Sequence, residues 1–183
     1  MQVPFGEWLP DLPDHANPGA TEAKNVFPAA NSYRPFQDIT ATSSGALTAR
    51  CQGGKAFKSD SGVVSIFAGD ATKLYKLTTN AFVDESGGTT FSFSGDYYWD
   101  FIRFGEVVIA FNGDDAAQAW TLDSSSDFAA LGGSPPVFRH AAVVNNFVVT
   151  GFQPTAQNKV QWSAVNSATS WTAGTNQSDS ETL

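Results

Sequence analysis

The chain has 183 residues, of which 42% are hydrophobic, 13% aromatic and only 15% charged, and its 10 basic and 18 acidic side chains give a net charge of −8. This is one domain's length with enough apolar material for a core, and so low a charge content excludes disorder driven by self-repulsion. The acidity argues against tight wrapping of nucleic acid, which takes clustered Lys and Arg, and the single cysteine, Cys51, excludes an internal disulfide or a multi-cysteine zinc site.

In chain order, the start has neither a basic n-region nor an apolar h-region, so the expectation is a chain made and kept soluble without Sec export. Pro4, Pro10, Pro13, Pro18, Pro28 and Pro35 make six of the nine prolines. Proline fixes φ and removes ladder donors, so the first stretch reads as an extended arm broken by turns. Short β-branched and aromatic runs follow at residues 63–67, 73–77, 91–93, 97–104, 107–111, 118–122, 141–144, 147–152 and 159–163, separated by Gly, Asn, Asp and Ser. These predict antiparallel strands. No window sustains helical apolar spacing; one short helical turn is expected near residues 164–170.

The strands repeat. Val63-Val64-Ser65-Ile66-Phe67-Ala68-Gly69-Asp70 matches Val107-Val108-Ile109-Ala110-Phe111-Asn112-Gly113-Asp114, with Gly69 and Gly113 standing 44 positions apart. A third unit opens on Phe147-Val148-Val149-Thr150-Gly151. Periods of this length with several strands per unit match the blades of a propeller. The expected fold is therefore all-β, antiparallel, with about three β-propeller-like blades over residues 56–183, after an extended N-terminal arm and first strands over residues 1–55. An open row of blades leaves edge strands and an apolar face uncovered, which a longer chain or neighbouring subunits must cover.

Candidate chemistry is sparse. His15 and His140 are far apart and in no metal-type spacing. Asn112-Gly113-Asp114-Asp115 could hold a hard cation or supply acid and base groups, with Asp100 as a further carboxylate, but reads better as a hairpin turn. Gly53-Gly54-Lys55 lacks the remaining residues of a phosphate loop, no Gly-x-Ser-x-Gly occurs, and Cys51 has no catalytic signature, so no enzyme and no cofactor are expected. Asn176-Gln177-Ser178 reads as an ordinary polar tail rather than a glycosylation site. Trp8, Trp99, Trp120, Trp162 and Trp171 could stack on sugars, which would make a carbohydrate- or receptor-binding β module, such as a viral adhesin, the alternative function. Three of them lie in strand runs, where packing in or between blades is favoured.

Two blocks carry a family resemblance. The first is Phe5-Gly6-Glu7-Trp8-Leu9-Pro10-Asp11-Leu12, with Asn17-Pro18-Gly19, Ala23-Lys24-Asn25-Val26-Phe27-Pro28 and Ser32-Tyr33-Arg34-Pro35-Phe36. The second runs from Phe138-Arg139-His140-Ala141-Ala142-Val143-Val144 through Lys159-Val160-Gln161-Trp162-Ser163-Ala164-Val165-Asn166 to Thr169-Ser170-Trp171-Thr172. Both resemble tailed-bacteriophage head-to-tail joining and tail-nozzle proteins, often labelled packaged-DNA stabilisation proteins. The resemblance implies a structural virion protein, without catalysis, assembled in the host cytoplasm into the tail or head-tail interface. Its partners would be copies of itself in a ring, portal, adaptor or other tail proteins, and packaged DNA passing nearby without sequence-specific binding, with no membrane involved. Chains of this kind usually continue through further blades and a tip, which implies either part of a longer nozzle or a shortened joining subunit. Aromatics and arginine are the usual anchors of interfaces, so Trp8, Tyr33, Arg34 and Phe36 are the expected interaction residues.

Overall fold

The computed structural model describes residues 6–29, 32–36, 45–92 and 96–183. The chain divides into two compact units, Met1–Ala41 and Thr42–Leu183. Among the described residues the fold is all-β with antiparallel sheets, and the one helical element is a 3-10 turn, Asp14–Ala16. No helix among them is long and apolar enough to cross a membrane.

In the first unit the proline-rich stretch turns back on itself. Asn17 holds the turn: its Nδ2 donates to the Leu9 carbonyl at 2.7 Å and its Oδ1 accepts from the Gly19 amide at 2.8 Å. Ala20 is thereby laid beside Trp8, and its amide donates to the Glu7 carbonyl at 2.9 Å. A β-carbon on Gly19 would overlap that same carbonyl, so the approach requires glycine. Next, β1 (Val26–Ala29) pairs with β2 (Ser32–Pro35), Phe27 opposite Arg34. Proline lacks a ladder donor and is confined to sheet edges. A two-stranded ribbon consists of edges alone, which is why Pro28 and Pro35 are tolerated here.

Among its described residues the second unit holds three four-stranded sheets, each a meander of consecutive strands. The first comprises β3 (Gly54–Lys58), β4 (Val64–Gly69), β5 (Leu74–Leu77) and β6 (Phe82–Asp84). The second comprises β7 (Asp100–Phe104), β8 (Val107–Phe111), β9 (Gln118–Thr121) and β10 (Ala129–Ala130). The third comprises β11 (His140–Val144), β12 (Phe147–Gln153), β13 (Ala156–Trp162) and β14 (Asp179–Thr182). The sequence repeat is thus a repeat of sheets, its matching runs being the second strands β4, β8 and β12. Strands β3, β6, β10 and β14 carry little apolar alternation and escape the sequence pattern. Phe91 lies in no strand and instead plugs the core, while residue 93 is outside the described residues. The helical turn expected near residues 164–170 is a pair of non-helical turns, in which the Ala164 amide donates to the Ser170 carbonyl at 2.8 Å.

Hydrophobic burial explains why β8 is apolar at every position. Val108 and Ala110 point to one face and pack with Trp120, Leu122 and Phe128 against Phe67 and Leu74 of the first sheet. Ile109 and Phe111 point to the other face and pack with Phe138, Val148 and Trp171. The second sheet is therefore covered on both sides. Fully burying one such aliphatic or aromatic side chain is worth about 1.5–3 kcal/mol. In β4 burial alternates from Val64 to Phe67, with Ser65 and Phe67 buried and Val64 and Ile66 exposed, after which Ala68 and Gly69 are both buried.

The turns repeat chemically as well. Asp70 Oδ1 accepts the amides of Thr72 and Lys73, each at 2.8 Å, and Asn112 Oδ1 accepts those of Asp114 and Asp115 at 3.0 and 2.8 Å. The residue matching Asp70 in three dimensions is therefore Asn112, two positions before the Asp114 of the sequence alignment. At the opposite end, Arg103 ties the β3–β4 turn to the second sheet. Its guanidinium donates to the Lys58 carbonyl, to Asp60 Oδ1 at 2.7 Å and to Glu106.

Candidate interaction surface

Of the expected interaction residues, Trp8 is 57% and Phe36 53% exposed, and Arg34 is also exposed. The ribbon register places Arg34 on the same face as Phe27, and the Phe36 amide donates to the Asn25 carbonyl at 2.8 Å, extending that face. Phe36 and Phe27 stack with ring centroids 5.1 Å apart. Tyr33 falls on the opposite face and donates its hydroxyl to the Gly6 carbonyl at 3.1 Å. The structure thus separates the four nominated residues into a Phe36–Arg34 face, a Tyr33 face and the exposed Trp8. Phe27, 54% exposed, shares that face and was not among the residues nominated from the sequence. Its only signal is the Val-Phe-Pro run, which gains meaning once the ribbon register is known. Phe5 lies outside the described residues.

The second unit presents two further apolar surfaces. The outward face of the first sheet carries Ala56, Val64, Ile66 and Leu77, and that of the third carries Ala142, Val144, Phe147, Val149, Val160 and Trp162. Val64 is 59% and Val144 50% exposed. Charged groups sit at the margins of these faces: Lys58 and Asp84 on the first sheet, Asp179 and Glu181 on the third.

Of the carboxylates considered for catalysis or metal binding, Asp115 and Asp100 are held by nearby donors and Asp114 lines a cavity. Asp115 accepts from Asn112 Nδ2 at 2.9 Å and from the Ser92 amide at 3.2 Å, and Asp100 accepts from the Phe101 amide at 2.7 Å. A 370 Å³ cavity is lined by Asp114, Pro136, Val137, Gln153, Pro154 and Thr155, with Asp114 as its single carboxylate. No group of three or more His, Cys, Asp or Glu among the described residues could hold a metal ion. His140 packs edge-on to Phe152, and Arg139 lies over the rings of Tyr97 and Phe152. Cys51 is exposed and donates to the Gly53 carbonyl. Lys55 donates Nζ to the Phe101 carbonyl at 2.7 Å, bridging the first two sheets instead of facing a phosphate.

Trp99, Trp120 and Trp171 are buried in the core. Trp162 is half-buried and donates Nε1 to the Gln177 carbonyl at 2.7 Å. Residues 175–178 are therefore not a loose polar tail but a closed turn, with Ser178 fully buried. Of the five tryptophans, Trp8 alone offers a largely open ring face to a sugar.

Compared with protein-family models and with curated proteins, the chain matches none.

Proposed function

We propose that this chain is a structural virion protein of a tailed bacteriophage, an oligomeric head-to-tail joining or tail-nozzle component whose three sheets are propeller-like blades. The observation that carries the reading is the way neighbouring sheets approach one another. The first strand of each lies beside the first strand of the next, β3 by β7 and β7 by β11. Sheets hinged at their first strands and packed face to face are the arrangement of propeller blades about an axis.

Three further features support the assembly role. The row of sheets ends in apolar faces on both sides, and the first unit presents Trp8, Phe27, Arg34 and Phe36 to a neighbour. Asp84, paired with Lys73, and Asp179 and Glu181 lie on two of the three fourth strands, and the first strands carry Lys55, Lys58 and Arg103 together with Asp100. The fourth-strand edges repel a passing duplex, which lets DNA slide by without sticking. The two resembling sequence blocks supply the phage assignment itself.

The test is cryo-electron microscopy of the particle from which the chain comes, with the intact mass of each particle protein. Density for this chain on the portal axis supports the reading. A purified particle that lacks the chain sinks it.

A further inference from the structure

We infer that two copies of this chain close a six-sheet ring, the outward face of the first sheet in each copy covering the outward face of the third sheet in the other. The inference rests on the propeller-like reading of the sheets and is independent of the phage assignment.

The argument starts from register. In the second sheet the face covered by the third sheet contains the cross-strand pairs Phe104–Val107, Ile102–Ile109 and Ile109–Ala119. In the third sheet the uncovered face contains Val144–Phe147, Ala142–Val149 and Val149–Trp162 at the same ladder positions. What covers this face in the second sheet is another four-stranded sheet. The other end of the row matches over part of its face. The second sheet meets the first through Arg103–Val108, Phe101–Ala110 and Val108–Trp120, and the other face of the first sheet carries Lys58–Val64 and Ala56–Ile66, while Ala68 and Tyr75 beside them are already buried within the chain, the Tyr75 hydroxyl bonded to Thr48 and Asp70. Each chain therefore offers one face that seeks a following sheet and one that seeks a preceding sheet.

Geometry selects the number of copies. Propellers typically have four to eight blades, and with the three four-stranded sheets described in each 183-residue chain the multiple of three in that range is six. Two copies supply six sheets, with each contact between unlike faces occurring twice about a two-fold axis. Area selects closure over an open pair. Four strands about 4.8 Å apart and about five residues long, at about 3.3 Å per residue, make a face of roughly 300 Å². One shared contact would bury roughly 600 Å² in total, the size of a crystal-packing contact, whereas two reach roughly 1,200 Å², the size at which specific association begins.

The experiment is sedimentation velocity on the full 183-residue chain and on two variants, Ile66→Lys in the first sheet and Val149→Glu in the third. Ile66 is exposed and Val149 half-buried, so a single chain accommodates either charge; near-ultraviolet circular dichroism checks that the native packing is kept. The expected result is a species of twice 19.4 kDa for the parent, a monomer for each variant alone, and recovery of the dimer when the variants are mixed. Mixing leaves one contact native and turns the other into a Lys–Glu pair. A parent that stays monomeric overturns the inference, as does a parent forming a concentration-dependent series of larger species. A dimer that survives each substitution, or variants that fail to recover on mixing, overturn it too. A dimer found for a chain missing from the particle would leave this inference standing and remove the phage reading.

Discussion

The Trp99 indole lies against Gly69 so closely that a β-carbon on the glycine would overlap the ring, and the same indole donates Nε1 to the Asp70 carbonyl at 2.8 Å. The contact joins the end of β4 to the segment that leads into the second sheet. Gly69→Ala adds one methyl where no space exists, and overpacking of this kind costs about 1–3 kcal/mol. Trp99→Ala removes the buried ring and costs about 3–5 kcal/mol. Urea unfolding at constant m-value checks both, and a Gly69→Ala variant as stable as the parent would remove the proposed steric constraint.

Asp70 is fully buried. Burial by itself would raise its carboxyl pKa, but hydrogen bonds from the Thr72 amide, the Tyr75 and Thr48 hydroxyls and the Thr72 hydroxyl outweigh it and hold the pKa below the ordinary value. A carboxyl lowered in the folded state stabilises fully above its unfolded pKa, about 3.9, and loses that contribution as pH falls through the folded value. Asp70→Asn keeps the turn-capping oxygen used by Asn112 but loses the charge. The expected cost at neutral pH is about 1.5–3 kcal/mol, the range for hydrogen bonds to a charged group. The gap to the parent should narrow on acidification to pH 3, read as unfolding midpoints across the pH series. A constant gap would show that the charge is not what the surrounding donors stabilise.

Arg103 is the clamp on the β3–β4 turn, and the Asp60 amide in that turn donates to Glu106 Oε1 at 3.1 Å. The Asp60 side chain is exposed, so the ion pair itself is worth little to global stability. Arg103→Ala should therefore barely move the thermal midpoint while speeding amide hydrogen exchange over residues 59–63. Unchanged exchange there would mean that the turn is held by its own Ser59 and Val63 bonds.

The Phe27–Phe36 stack stabilises a ribbon too short to be stable on strand pairing alone. Aromatic pairs contribute about 0.5–1.5 kcal/mol beyond their buried area. Phe36→Ala should increase exchange at the Val26 and Phe27 amides and shift the Phe27 ring resonances. In the proposed assembly it should also reduce incorporation of the chain into particles. Normal incorporation together with a loosened ribbon would remove Phe36 from the interface.

Among the strands, legibility in the sequence followed burial. The runs at residues 63–67 and 107–111 were readable because β4 and β8 lie in the middle of their sheets and must present apolar side chains to a core. Turn residues between them were readable for a local reason: Asp and Asn cap a reversal using their own following amides. The fourth strands were not. A fourth strand such as β14, Asp-Ser-Glu-Thr, pairs on one side through its backbone, and backbone hydrogen bonds place no demand on side-chain type. Of the candidate surface, Trp8, Arg34 and Phe36 were nominated by residue type, but residue type did not single out Phe27, whose partnership with Phe36 depends on ribbon register.

By itself the sequence determined an all-β chain with a repeated strand unit and turn-forming punctuation, since alternation and turn chemistry act over a few neighbouring residues. Only the tertiary structure decided that each unit is a complete four-stranded meander and that the middle sheet is covered on both faces. It also decided that Asn112 takes the place of Asp70 and that two apolar faces remain at the ends of the row. These depend on which faces meet across distances of 40 or more residues, as in the pairing of Lys55 with the Phe101 carbonyl 46 positions away, and no local pattern encodes such a choice.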